Sequence, residues 1–288
     1  MITVYGEALV DLVPATPGAL APLTPALGGG PFNVARALGR LGSSVAFQSR
    51  LSSDSYGAAL RQSLLDAHVD LSKCPSGEEP TTLAVTALRD DGSASYTFYV
   101  NGTADRLAEP VPVEDGYAVF GTLSLALEPG SLRYAEAARV SADNGAIVCL
   151  DPNLRPAFSS EKHRLFLRGL LESVTVLKLS DEEVEFLGDT SGVPIVVTTL
   201  GGNGIRVRAP FGVCEVQAPA VEVADTIGAG DTIMAALVHQ FDARGLDRSA
   251  LLALGEGEWR EILDFAARAA AITVSRTGAD TPYLHELV

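Results

Sequence analysis

Asp225-Thr226-Ile227-Gly228-Ala229-Gly230-Asp231-Thr232 runs without a break into Ile233-Met234-Ala235-Ala236-Leu237-Val238. A glycine-rich turn thus opens directly into an apolar helical run. The first amides of such a helix have no internal partner, and the helix dipole puts positive potential on them. Together they make a seat for an anionic group such as a phosphate. Asp231 stands at the mouth of that seat, where a carboxylate can accept the proton of a hydroxyl that attacks phosphorus. An acid in the first helical turn also has a plain structural use, because it complements the dipole. The turn alone leaves both readings open.

A second segment points the same way. Gly28-Gly29-Gly30-Pro31-Phe32-Asn33-Val34-Ala35-Arg36-Ala37-Leu38-Gly39 again leads glycines into a helical pattern, with Asn33 in the first turn. Glycine lets backbone approach a ligand closely, and asparagine both donates to and accepts from hydroxyls. Between the two segments, β-rich runs alternate with helical patterns, which predicts an α/β chain with a parallel sheet. Strands are expected at 2–5, 45–50, 117–122, 146–150, 174–179 and 194–199. Helices are expected at 33–41, 55–67, 132–143, 161–172, 181–187, 229–242 and 258–274. Ligands of such sheets bind at the carboxyl ends of strands, where Asp151, Lys178 and Leu200-Gly201 fall. Residues 82–88 and 94–100 break the alternation. They are two β-like runs around Arg89-Asp90-Asp91-Gly92-Ser93, a hairpin turn signal. With 8–13 they can form a small sheet outside the main one.

The 288 residues are 47% hydrophobic and 20% charged, enough for one large core, and the net charge is −15. That acidity argues against nucleic acid and anionic membrane as partners. No apolar run approaches the ~18 residues needed to span a bilayer. Cys74, Cys149 and Cys214 lie far apart and suit a reducing, cytoplasmic setting, as does a start without a basic leader. His68, His163, His239 and His285 show no metal-type pairing. Two nucleotide motifs are missing. Lys73, Lys162 and Lys178 are the lysines and none follows glycine, so there is no Walker A loop; G-x-G-x-x-G is absent as well.

The segments 28–42 and 225–237 together resemble the two signature segments of the ribokinase-like (PfkB) carbohydrate kinase family, and the resemblance extends through most of the chain. It implies a three-layer α/β/α core with a mainly parallel sheet, spanning 1–288 as one domain, and a small β-sheet lid from about 8–13 and 82–100. The implied activity is ATP-dependent phosphorylation of a sugar, with Mg2+ and in some members K+. Asp231 matches the catalytic base, and the amides of Gly228, Ala229 and Gly230 match the anion hole. Asp11, Gly29 and Asn33 match sugar contacts, with Tyr99 in the lid stretch and Arg155 in Asp151-Pro152-Asn153-Leu154-Arg155 as further substrate candidates. Nucleotide contacts are expected from Lys178, Thr199, Gly201, Gly204, Thr226, Gly228, Gly230 and Thr273. Glu183, in Ser180-Asp181-Glu182-Glu183, matches a glutamate that organises Mg2+ through water, although Ser180 and Glu183 also read as a helix capping box. The positions of Asp225 and Ile227, with 269–279, match a monovalent-cation site built from carbonyls.

Val100 stands where fructokinase-like members often carry arginine, which tilts the substrate toward a neutral sugar such as fructose. Arg89 and Arg106 leave 2-keto-3-deoxygluconate open, and ribose or a nucleoside also remain. A sugar-binding regulator on a kinase scaffold is the alternative outside catalysis, and the intact Asp231 and glycine turn speak against it. The exposed edges of a β lid leave a homodimer open.

Overall fold

Alternation along the central strands sorts their side chains onto two faces. Ile2, Val4, Tyr117, Val119, Ile147, Cys149, Ile195 and Val197 enter one buried cluster. Their neighbours Tyr5, Ala118, Phe120, Val148, Leu150 and Val196 enter another. A strand buried on both faces needs helices on both sides, and the result is three layers.

The computed structural model describes residues 1–16, 18, 20–88 and 94–287. Its strands are β1 (Ile2–Tyr5), β2 (Leu9–Pro14), β3 (Leu23–Gly28), β4 (Val45–Gln48), β5 (Leu51–Ser52), β6 (Ser76–Gly77), β7 (Thr82–Leu88), β8 (Ala94–Tyr99), β9 (Tyr117–Gly121), β10 (Ile147–Asp151), β11 (Val176–Ser180), β12 (Ile195–Thr199), β13 (Ile205–Ala209) and β14 (Gly212–Val216). The helices are α1 (Gly30–Arg40), α2 (Ser55–Asp66), α3 (Gly130–Asp143), α4 (Glu161–Arg168), α5 (Asp181–Leu187), α6 (Ala229–Ala243), α7 (Arg248–Ala253) and α8 (Glu256–Val274).

The main sheet runs β14-β13-β12-β11-β10-β9-β1-β4. Pairing is parallel from β4 to β12, and β13 and β14 add an antiparallel hairpin at the edge. Helices α1, α2, α6 and α8 supply the first cluster, while α3, α4 and α5 supply the second. The predicted α/β core and the strand and helix positions above hold to within a few residues at their ends, apart from α4, which stops at Arg168.

The second sheet has four strands in the order β3-β2-β7-β8. The strand at 23–28 was not expected. Pro25 removes a ladder donor, and the segment lacks clean alternation, which is tolerable only at an edge. Asp11 pairs in register with Ala84, and Ala84 with Phe98, so these three share a face. The Phe98 ring meets that of Phe158 at a tilt of 60°, centroids 5.2 Å apart, which turns that face toward the main sheet. Arg89 and the Asp90-Asp91-Gly92 turn lie outside the described residues.

Local chemistry fixes most helix starts. Asp54, Ser160, Ser180 and Asp247 cap α2, α4, α5 and α7 with side-chain oxygens. Helices α1 and α6 instead begin after Gly29 and Gly228 and have no side-chain cap. These are the two helices that the glycine segments nominate.

Candidate active site

Gly228 enters α6 in the left-handed conformation, φ 78°, where glycine carries no steric penalty. A Cβ there would lie 2.7 Å from Ala279 Cβ and 3.0 Å from its Cα. The first helical bond of α6 runs from the Thr232 amide to Gly228 O at 2.8 Å. The amides of Gly230 and Asp231 precede it and face out of the uncapped end. The Ala229 amide makes a long 3.4 Å bond back to Thr226 O, which leaves it less free than expected.

Asp231 is 6% exposed. Its Oδ2 accepts Asn33 Nδ2 at 2.8 Å and its Oδ1 accepts Asn153 Nδ2 at 3.2 Å. Burial raises the Asp231 pKa, against the Asn33 hydrogen bond and the charges of Lys178 and Arg155. A buried carboxylate held by two amides is both oriented and more basic than a surface aspartate. Asn153 was not singled out by the sequence. It sits at φ 42°, a conformation asparagine tolerates, and its Oδ1 accepts Arg155 Nη1 at 2.6 Å. Arg155, Asn153, Asp231 and Asn33 therefore form one chain of polar contacts.

The three glycines before α1 serve different contacts. A Cβ at Gly28 would strike the Asp11 carboxylate. Gly29 has φ 107°, and its Cβ would lie 2.9 Å from Glu7 O. At Gly30 a Cβ would strike Thr122 Oγ1 and lie 3.2 Å from Asn153 Nδ2 and 3.4 Å from Asp231 Oδ1. The space over Gly30 is therefore ringed by hydroxyl, amide and carboxylate. The Asp11 carboxylate lies over Gly28, its pKa raised by burial and countered by the Arg155 charge.

Beside the open end of α6, Lys178 Nζ approaches Asp151 Oδ2 to 2.7 Å, with both side chains nearly buried. A Cβ on Gly230 would lie 3.2 Å from that Nζ, which sets the ammonium beside the open end of α6. Desolvation pushes Asp151 up to about 6 despite Lys178, with Glu183 and Asp231 adding to the rise. Gly201 and Gly204 hold φ 55° and 108° around the short helix after β12, and a Cβ at Gly204 would strike Val216 O. Thr199 donates to Leu179 O at 3.4 Å, and Thr226 is exposed.

Two candidates, Tyr99 and Thr273, sit otherwise than expected, and Asp225 and Glu183 are held by local hydrogen bonds. Tyr99 pairs with Leu83, so it occupies the face of the second sheet opposite Asp11 and Phe98, 59% exposed. The Thr273 side chain is fully buried and shares a 2.9 Å hydrogen bond with Thr232, joining α8 to α6 rather than reaching the cleft. The Asp225 carboxylate accepts the Ile227 amide at 3.0 Å and the Gly278 amide at 2.9 Å, so it clamps the loop whose carbonyls are the expected cation ligands. Glu183 completes the capping box: its Oε2 takes the Ser180 amide at 2.7 Å and its Oε1 the Leu154 amide at 2.6 Å. That second bond, which the local motif does not foretell, ties α5 to the Asn153–Arg155 loop.

Helix α1 reaches both sides of the site. Asn33 contacts Asp231, Arg36 Nη2 donates to Ala279 O at 2.8 Å, and Arg40 Nη1 pairs with Asp280 Oδ1 at 2.7 Å. Ala279 in turn packs on Gly228. Gly228→Ala combines a strained φ with a clash against Ala279, so it is expected to weaken nucleotide binding by about tenfold or more. Calorimetric titration with nucleotide checks this, and unchanged affinity would contradict it.

The layered α/β fold, with a buried carboxylate set at an uncapped helix terminus, is that of a phosphotransferase acting on an alcohol. Residues 1–286 match the pfkB family carbohydrate kinase. The chain belongs to that family. It is 32% identical over 305 residues to probable fructokinase-3 of Arabidopsis thaliana, covering 97% of this chain and 87% of the relative. Its structure resembles that of fructokinase with bound ATP from Xylella fastidiosa, with TM-score 0.89, 28% identity, and 99% and 96% of the two chains covered. A double mutant of fructokinase from Vibrio cholerae O395, in a fructose, ADP and potassium ion bound form, gives TM-score 0.84 at 27% identity, covering 99% and 96%.

Proposed function

We propose that the protein transfers the γ-phosphoryl group of ATP to a hydroxyl of a neutral sugar, with fructose the substrate. The observation that carries this reading is Asp231, held by Asn33 and Asn153 at the open end of α6. Asp231 takes the proton of the acceptor hydroxyl as the new O–P bond forms and the bond to the ADP oxygen breaks. The amides of Gly230 and Asp231, with Lys178 beside them, are placed for the charge on the transferring group. The inward face of the second sheet, with Asp11 and Phe98, closes over the acceptor and excludes water.

The residues suit a nucleotide phosphate: a helix end without a side-chain cap and a buried ammonium next to it. For Mg2+ the protein donors are sparse. Among the described residues no three His, Cys, Asp or Glu side chains cluster as a metal site. Mg2+ often keeps its waters and leans on phosphate oxygens with one or two carboxylates, and Glu183 and Asp151 are the carboxylates that would hold it, through water. Bound Mg2+ would neutralise phosphate charge.

A neutral sugar is favoured by the lid. Val100 packs against the buried cluster of Leu9, Ala84 and Leu123. Arg106 Nη1 donates to Val100 O at 3.0 Å. The reaction belongs to the cytoplasm, where ATP is abundant; among the described residues no helix is long and apolar enough to cross a membrane.

The test is ADP release from Mg·ATP, with K+ supplied, against fructose, ribose, 2-keto-3-deoxygluconate and adenosine. Turnover selective for fructose supports the reading. Selectivity for another member moves the substrate while keeping the chemistry. Sugar binding without ADP release by the folded protein favours the non-catalytic regulator.

A further inference from the structure

Glu7 lies between β1 and β2, is 1% exposed, and has no part in the chemistry above. Its Oε2 accepts the Ser124 amide at 2.9 Å and the Ser124 hydroxyl as well. Its carbonyl backs Gly29, where a Cβ would come within 2.9 Å. Its neighbour Gly6, at φ 144°, lies so close to the start of α1 that a Cβ would clash with Pro31 and sit 2.9 Å from Ser124 Oγ. One residue thus joins the root of β2, which carries Asp11, to the opening of α1 and to the turn after β9.

That turn needs a restraint. Thr122 has φ 61°, and a β-branched residue in the left-handed region is a true outlier. Such strain persists only where the surroundings over-determine it. Two residues on, Ser124 is bonded twice to Glu7. Thr122 meanwhile lines a cavity of about 10 Å3 together with Gly30, Asp151 and Asp231. Its hydroxyl occupies the ring over Gly30 with Asn153 and Asp231.

We propose that Glu7 is a positioning residue of the acceptor site, whose side chain holds the strained Thr122–Ser124 turn so that the Thr122 hydroxyl bounds the place where the acceptor hydroxyl meets Asp231. The proposal rests on the sugar-kinase reading. The Glu7 Oε1 is buried without a partner, and the buried Asp105 carboxylate, itself bonded to the Thr82 hydroxyl at 2.6 Å, lies close enough to disfavour a second charge. Desolvation, partly offset by Ser124, pushes Glu7 up to about 7. A glutamine is the neutral isostere of that acid, and its amide oxygen can accept both Ser124 bonds.

The experiment compares Glu7→Ala, Glu7→Gln and Ser124→Ala in the full chain. Sugar KM and kcat are measured, with nucleotide affinity by calorimetry and the fold by thermal melting. Glu7→Ala is expected to lower kcat/KM for the sugar by about 10- to 100-fold, with nucleotide affinity kept within about twofold. Glu7→Gln should recover to within about threefold of wild type, and Ser124→Ala should fall between, because it keeps the amide bond. Wild-type kcat/KM in Glu7→Ala overturns the proposal. So does an equal loss in sugar and nucleotide binding, or a loss that glutamine fails to restore. If Glu7→Ala does not fold, Ser124→Ala decides, and an unchanged sugar kcat/KM there overturns it. A folded wild-type protein silent with every sugar removes the functional reading itself, an outcome distinct from an active wild type with indifferent variants.

Discussion

Asp231→Asn is expected to lower kcat by about 10²- to 10⁴-fold while leaving the fold and both substrate affinities nearly intact. The substitution preserves volume and removes only the ability to take a proton. Its neighbour Asn33, whose Oδ1 is buried without a partner, can turn to offer oxygen in place of nitrogen while Asn153 keeps donating, so the variant need not leave a buried group unpaired. Wild-type activity should share the signature of this base. Burial lifts its pKa above the ordinary aspartate value, so kcat/KM should fall on acidification at a pH above the usual carboxylate range. Stopped assays of the variant, beside a pH profile of the wild type, provide the measurement. Turnover within about threefold of wild type would remove Asp231 from the mechanism.

Lys178→Met should produce the largest loss of stability, about 3–5 kcal/mol, because it leaves the buried Asp151 carboxylate without its counter-charge. The loss should depend on pH. Asp151 is raised from 3.8 to about 6 even with Lys178 present, so the folded chain holds that proton more tightly than the unfolded chain. Its contribution to stability therefore declines as pH climbs through that window. Without Lys178 the value rises further, and the neutral acid becomes the tolerable form. Urea unfolding should show the smallest deficit near about pH 5 and the largest near about pH 8. A deficit equal at both would mean that packing, rather than charge, dominates. Loss of the ammonium beside Gly230 should also weaken nucleotide binding.

The glycine turns at 28–30 and 227–230 were legible because their conformational demand is local: positive φ and close approach admit few residues. The strand and helix alternation was legible for a similar reason, since burial on both faces of a parallel sheet writes itself into short apolar runs. What the sequence withheld depends on register or on long-range contact. Asn33 meets Asp231 across 198 positions and Glu7 meets Ser124 across 117, and no spacing rule connects them. Tyr96-Thr97-Phe98-Tyr99 carries aromatics on both parities, so only the pairing of β8 with β7 decides that Phe98 faces the site and Tyr99 faces away. Thr273 looked like a cleft residue, but the α6–α8 packing turns it onto Thr232. Residues 23–28 were unread because an edge strand with Pro25 needs neither alternation nor a full ladder.

Helix α1 spans 11 residues and is anchored at both ends, through Asn33 to the base and through Arg36 and Arg40 to the Ala279–Thr281 loop. A helix is stiff along its axis, so a displacement at one anchor is delivered to the other. On the proposed function the helix would be a connecting rod between the acceptor cavity and the nucleotide loop. Any coupling it carries has to be reciprocal: the factor by which the sugar alters nucleotide affinity must equal the factor by which the nucleotide alters sugar affinity.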